Sequence, residues 1–261
     1  MKEISVLGCG WLGLPLAQKL IDDGFAVNGS TTSEAKMDVL RNAGIAPYQI
    51  ALSTDAVDGN IAEFLSSGTL IIDIPPKTAT GYFPDKIKAL LPSIVQSAVK
   101  KILFVSSISV YGEAAAVVDE NTTPEPDSEN GRQLVEAEKL LLENPNFKTT
   151  VLRFGGLIGN NRHPVKHLSG KQNNNTDARV NLIHLDDCIG IIRQIIALEK
   201  WGETYNAVSP FHPTRKEYYQ KKAADMDLPI PNFTTGGHEG KIVRSDKIIT
   251  DLNYLFEKPL L

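Results

Sequence analysis

Short aliphatic runs alternate with amphipathic stretches through the first 155 residues. Glu3–Leu7, Phe25–Ser30, Tyr48–Leu52, Thr69–Ile74, Lys101–Val105 and Thr149–Phe154 read as strands bounded by turn residues. Between them, Leu12, Leu16 and Leu20 with Ala17 and Ile21 recur at helical spacing. Further helix patterns cover Ser33–Asn42, about Pro84 to Lys100 with a bend near Pro92, and Gly131–Glu143 with Leu134, Ala137, Leu140 and Leu141 on one side. Strands apolar on both faces and separated by helices predict an α/β, Rossmann-type doubly wound parallel sheet. After Gly155 the pattern changes to a polar run over Asn160–Asn175, then a helix over Asp186–Leu198, a short strand Glu203–Ala207 and a helix near Thr214–Asp225. The predicted organisation is a dinucleotide-binding domain over 1–155 with 180–200 packing back onto it. A small C-terminal substrate lobe, 156–179 and 201–261, would lie over the carboxyl ends of the strands.

Composition narrows the function classes. The chain has 261 residues, 42% hydrophobic and 22% charged, which suits one large globular domain with a small lobe. A net charge of −4 without a basic run gives no electrostatic footprint for nucleic acid. No apolar stretch reaches the roughly 20 residues a membrane span needs. Cys9 and Cys188 have no metal-ligand spacing, and no metal is expected. With a strand starting almost at once and no export signal, reduced thiols in a cytoplasmic protein are the expectation.

The chemistry begins at the end of the first strand, with Gly8-Cys9-Gly10-Trp11-Leu12-Gly13 leading into a helix. A strand, a glycine turn and a helix N-terminus in that order form a dinucleotide pyrophosphate site: the turn brings backbone N–H groups to the anion and the helix dipole favours it. All six of those residues are candidate cofactor contacts. Pro75, beyond the fourth strand, and Ser106, beyond the fifth, are added to them. An NAD site ordinarily has an acid at the end of the second strand, but here the sequence is Asn28-Gly-Ser-Thr-Thr-Ser33, with no acid before Glu34. Ser30, Thr31 and Thr32 supply hydroxyls and Lys36 supplies positive charge, which favours NADP as cofactor with NAD as the second choice.

Past the fifth strand, Phe104-Val-Ser-Ser-Ile-Ser-Val-Tyr-Gly112 sets several hydroxyls at the place where a substrate oxygen could meet a nicotinamide. Together with the glycine turn, Leu-Arg-Phe-Gly-Gly-Leu-Ile-Gly at 152–159, Ile-His-Leu-Asp-Asp at 183–187 and Thr-Tyr-Asn-Ala at 204–207, this segment resembles the extended short-chain dehydrogenase/reductase superfamily. That group is also called the NAD-dependent epimerase/dehydratase family, and the resemblance covers nearly the whole chain. It implies that Ser107 contacts the reacting group. It also implies a catalytic Tyr-x-x-x-Lys pair, yet the matching positions hold Asn130 and Leu134, so this chain resembles an atypical branch that lacks the pair. Tyr82 with Lys86 and Tyr218 with Lys222 repeat the spacing outside the family's context.

Replacement groups are few. Tyr111 could carry the proton or simply pack the loop, and Asp85 could act as base or cap a helix. Arg132, Arg162 and His163 are the candidate substrate contacts. The expected function is an NADP-binding, epimerase/dehydratase-like oxidoreductase acting on a hydroxyl or keto group of a small polar substrate, a nucleotide sugar among the options. The alternative is a non-catalytic NAD(P)-binding sensor or regulatory protein. The family's habit of pairing through helices here at 84–100 and 130–143 implies a homodimer.

Overall fold

A computed structural model describes residues 2–76, 81–113, 117–159, 161–234, 236, 237, 239–258 and 260. Seven strands form the central sheet: β1 (Glu3–Leu7), β2 (Ala26–Thr31), β3 (Ala46–Gln49), β4 (Thr69–Ile72), β5 (Lys101–Ser107), β6 (Lys148–Phe154) and β7 (Thr204–Ala207). Their order is β3-β2-β1-β4-β5-β6-β7 and every neighbouring pair is parallel. The order reverses direction between β1 and β4, which opens a crevice at their carboxyl ends.

Alternation along the strands feeds two cores. Ile71, Leu103 and Leu152 face one side, where α1 (Gly13–Asp22) contributes Leu16, Ala17 and Leu20 and α5 (Leu185–Ala197) contributes Ile191, Ile192 and Ile195. Leu70, Ile72, Ile102, Phe104 and Val151 face the other side, covered by Ile87 and Leu90 of α3 (Phe83–Val95) and by Leu134, Ala137 and Leu141 of α4 (Glu129–Leu142). Each such buried aliphatic side chain contributes about 1.5–3 kcal/mol. The helix pattern near residue 40 becomes a 3₁₀ turn, Glu34–Lys36, followed by α2 (Met37–Asn42). Helix α3 ends at Val95 rather than near Lys100 and runs through Pro92.

The lobe has its own small core of Ile158, Val165, Val180, Leu182 and Ala223 with Tyr218 and Tyr219, the last three carried by α6 (Arg215–Asp225). The expectation that all of 201–261 belongs to this lobe is corrected by the sheet. Strand β7 completes the edge of β6, with Tyr205 beside Leu152 and Ala207 beside Phe154. Ile248 and Leu252 of α7 (Asp246–Leu252) then join the same core as α1 and α5. A free strand edge and an apolar helix face account for this return of the chain to the main domain. Among the described residues, no helix is long and apolar enough to cross a membrane.

Candidate functional site

The site is built at the crevice between β1 and β4. Gly8 leaves β1 with φ +104°, and a Cβ there would lie 2.3 Å from the Asp73 carbonyl oxygen. A Cβ on Gly13 would meet the Gly8 carbonyl oxygen at 2.2 Å, so the helix can start this close to the strand only with glycine. Gly10 differs: a Cβ there would meet nothing within 4 Å. It faces open space in a cleft of about 440 Å³, alongside Trp11, Leu12, Pro75, Ser106 and Ser107. Leu12, the N-cap residue of α1, makes no side-chain cap, and the first turn carries no acid. The Gly10 N–H donates to the Gly8 carbonyl at 2.8 Å and the Gly13 N–H to the Asp73 carboxyl, which leaves, among the described residues, the Trp11 and Leu12 N–H groups to meet an anion lying over Gly10.

Cys9 turns away from the cleft. Its thiol is buried against the Val6 carbonyl at 3.7 Å, and burial pushes its pKa up to about 12, so it contributes backbone only. At the end of β2, the Ser30 hydroxyl accepts the Gly8 N–H at 2.9 Å, and the Thr31 hydroxyl accepts the Ser33 N–H at 3.1 Å. Both hydroxyls thus support the turn, while Thr32 and Lys36 remain exposed.

Asp73 is the group that sequence reasoning missed. It follows β4, lines the cleft and accepts a hydrogen bond from the Gly13 N–H. Burial pushes its carboxyl up to about 7, against the opposing pull of that N–H and of the Arg162 guanidinium. The signal was an acid embedded in Thr-Leu-Ile-Ile-Asp-Ile, a run otherwise apolar after its first residue.

Leu134, at the family's lysine position, forms part of the cleft wall, and Asn130 lies exposed on α4. Ser107 ends β5 and accepts the Ser109 N–H at 3.1 Å. That bond leaves the hydroxyl proton free to donate. Ser107 borders the dinucleotide-type cleft on one side and a separate pocket of about 250 Å³ on the other.

The other candidates fall elsewhere. Tyr111 is buried, and its hydroxyl proton lies within reach of two acceptors, the Asn206 Oδ1 at 3.0 Å and the Asp119 carbonyl at 2.9 Å, while its oxygen accepts from Arg153 at 2.7 Å. Arg153 in turn pairs with the buried Glu138 at 2.6 Å, and Glu138 accepts the Ser106 hydroxyl at 2.5 Å. Tyr111 therefore ties the β5 loop to β6 and α4 and lines neither cavity, the arrangement of its loop-packing alternative rather than of a proton carrier. Asp85 is paired with Lys88 at 3.0 Å on the outer face of α3, so it too is removed from the reacting position. Arg132 pairs with Glu129 at 3.0 Å, an exposed i,i+3 pair outside the cleft.

Arg162 lies over the Trp11 ring at 5.0 Å and lines the dinucleotide-type cleft rather than a substrate pocket. His163 faces a third cavity of about 310 Å³ with His184, Tyr218 and Lys222, where its ring bonds the Tyr218 hydroxyl at 2.8 Å. Burial, first, and the nearby Lys222 and Lys166 charges push the His163 pKa down to about 4, so the ring is neutral. Tyr218 and Lys222 share this cavity one helical turn apart, away from Ser107. A further cavity of about 480 Å³ touches Lys2, Thr69 and Lys101 at the amino ends of the strands, the end of an open α/β sheet that does not bind ligands. Among the described residues, no cluster of His, Cys, Asp or Glu could hold a metal ion.

No protein-family model matches the chain. Along nearly its full length it is similar to protein YeeZ of Escherichia coli strain K12, 32% identical over 266 residues that cover 99% of this chain and 97% of the relative. Among solved structures, a UDP-glucuronic acid 4-epimerase from Bacillus cereus in complex with NAD superposes with a TM-score of 0.83 at 18% identity, covering 99% of this chain and 93% of that one. A functionally unknown conserved protein from Silicibacter pomeroyi superposes with a TM-score of 0.77 at 22% identity, covering 99% and 95%.

Proposed function

From the premise that the chain belongs to the family of Escherichia coli protein YeeZ and carries the NAD-dependent epimerase/dehydratase fold, we propose that it is a nicotinamide-dinucleotide-dependent oxidoreductase. It acts on a hydroxyl or keto group of a small polar substrate. The observation that carries this reading is the position of Ser107, the residue common to the glycine-turn cleft and the neighbouring pocket. A nicotinamide supplies hydride acceptance or donation when bound. The chain's own part is to hold the pyrophosphate on the backbone of Gly10–Gly13, to wall the cleft with Leu134 and Pro75, and to give a hydrogen bond from Ser107 to the substrate oxygen. That hydrogen bond stabilises charge developing on the oxygen as the hydride moves.

NADP over NAD is part of the proposal and rests on Thr32, Lys36 and the lack of an acid at the end of β2. Titration of both nucleotides against the purified protein, read by intrinsic fluorescence, tests it. Tighter NAD binding would reverse the preference, and binding of neither would end the dinucleotide reading. Leu134 specifically favours a second reading, a dinucleotide sensor without turnover, because it stands in the cleft wall at the position where the resembled family has the lysine that tunes its proton carrier. Hydride exchange between labelled substrate and nucleotide, lost in Ser107→Ala, separates the two. Pairing of two copies through α3 and α4 belongs to the same proposal, and sedimentation of the full chain decides it.

A further inference from the structure

The pocket on the lobe side of Ser107 is strongly unbalanced in charge. Arg179, Arg215 and Lys241 line it, and Glu113 is the one carboxylate among its described lining residues. The cations are brought together by backbone pairing. The Arg215 N–H donates to the Ala178 carbonyl at 2.9 Å, and Arg179 forms a bridge with Thr214. The Arg179 N–H donates to the Glu239 carbonyl at 2.8 Å, two residues before Lys241.

Each cation is held differently. Lys241 is buried, donates to the Tyr111 carbonyl at 2.6 Å and pairs with Glu113 at 2.8 Å. The Arg215 guanidinium lies over the Tyr219 ring at 5.5 Å, and its Nε is buried without a hydrogen-bond partner among the described residues. The Arg179 side chain makes a long bond to the His212 carbonyl at 3.3 Å. Among the described residues, neither arginine has a carboxylate within ion-pair distance. A buried guanidinium N–H without an acceptor is uncommon in native proteins and calls for a partner from outside. The planar fork of arginine matches a carboxylate or a phosphate.

We propose that Arg179 and Arg215 bind the anionic end of the substrate, a carboxylate or phosphate, and so present its hydroxyl or keto oxygen to Ser107. The inference rests on the reading of Ser107 given above and names the substrate class: a small hydroxy or keto acid, or a small phosphate ester. A pocket of about 250 Å³ is below the roughly 300–1,000 Å³ common for drug-sized ligands, which argues against a nucleotide sugar here. Lys241 completes the positive field from its buried position, and Glu113, exposed at the rim, competes with the incoming anion for it.

Calorimetric titration of the full chain at low ionic strength tests this, with inorganic phosphate in one arm and malonate in the other. The expected result is saturable binding of at least one anion, weakened about tenfold or more by Arg179→Gln and by Arg215→Gln and strengthened by Glu113→Gln. Tighter phosphate binding identifies the phosphate ester and tighter malonate binding the carboxylic acid; either supports the proposal. If Arg215→Gln does not fold, Arg215→Lys keeps the charge over Tyr219 but loses the fork, and its binding is expected to weaken as well. No saturable binding in either arm, or arginine variants that bind like the parent, would overturn the proposal, as would UDP-glucose binding more tightly than both anions. A parallel nucleotide titration keeps the two readings apart: lost anion binding with intact dinucleotide binding sinks only this inference, and the reverse sinks only the previous one.

Discussion

The two cavities that meet at Ser107 are made in opposite ways. The glycine-turn cleft is made of backbone: open N–H groups at the start of α1, a glycine that leaves space above it, and apolar walls from Pro75, Leu134 and Leu157. The lobe pocket is made of side chains, two arginines and a lysine drawn from three separate segments, at Arg179, Arg215 and Lys241. A backbone site binds any ligand with the right anion and shape, so many chemistries can share it. A side-chain site is rewritten by single substitutions, and this is where the chain sets its own substrate. Between the two runs the buried line Ser106–Glu138–Arg153–Tyr111, which joins β5, α4, β6 and the loop behind Ser107.

The largest loss is expected where that buried line is cut. Arg153→Met removes one partner of a buried ion pair and is expected to cost about 3–5 kcal/mol in urea denaturation, damaging both cavities at once. A loss under about 1 kcal/mol would mean that the two sides are not joined there.

Asp73 comes next, and its effect depends on pH. Its folded-state pKa is raised from the ordinary 3.8 to about 7, so the folded chain holds the proton more tightly than the unfolded chain. Stability from this group is therefore intact below about pH 4 and declines as pH rises toward 7, where the buried carboxyl becomes charged. Asp73→Asn keeps an acceptor for the Gly13 N–H. It is expected to flatten that decline, with a gain of up to about 4 kcal/mol at pH 8. It should also tighten dinucleotide binding above pH 7, because a charged carboxylate beside the pyrophosphate repels it. An unchanged slope in melts at pH 5 and pH 8 would remove Asp73 from the account.

Gly10→Ala sharpens the contrast between the sites. The new methyl meets no protein atom, so the melting temperature should hold while dinucleotide affinity falls about tenfold or more by titration. Anion binding in the lobe pocket should not change; if it falls equally, the cavities are not independent. Ser107→Ala loses the acceptor for the Ser109 N–H and is expected to cost only about 1 kcal/mol of stability, while hydride exchange is expected to be lost.

The sheet was legible because its signal is local. Runs such as Ile102–Phe104 declare a strand without reference to anything distant, and Gly8, Gly10 and Gly13 declare their turn by spacing alone. The sequence set Ser107 at the carboxyl end of its strand, and it is the last residue of β5. Tyr111 and Asp85 each kept two readings in the sequence because a hydroxyl or carboxyl near the right strand says nothing about direction: one points into a buried network, the other to Lys88. His163 and Arg162, adjacent in sequence, separate into different cavities for the same reason.

The parallel α/β architecture, the glycine turn between β1 and α1, and the presence of Asn130 and Leu134 where the resembled family has its Tyr-x-x-x-Lys pair were all readable in the sequence alone. These depend on periodicity, on glycine's missing Cβ and on residue identity, all properties read within one stretch of chain. Only the tertiary structure decided that 204–207 closes the main sheet, that Asp73 sits beneath the start of α1, and that Arg179, Arg215 and Lys241 converge beside Ser107. Each of these depends on which distant segments share a hydrogen-bonded edge, and on the burial and field that such pairing creates.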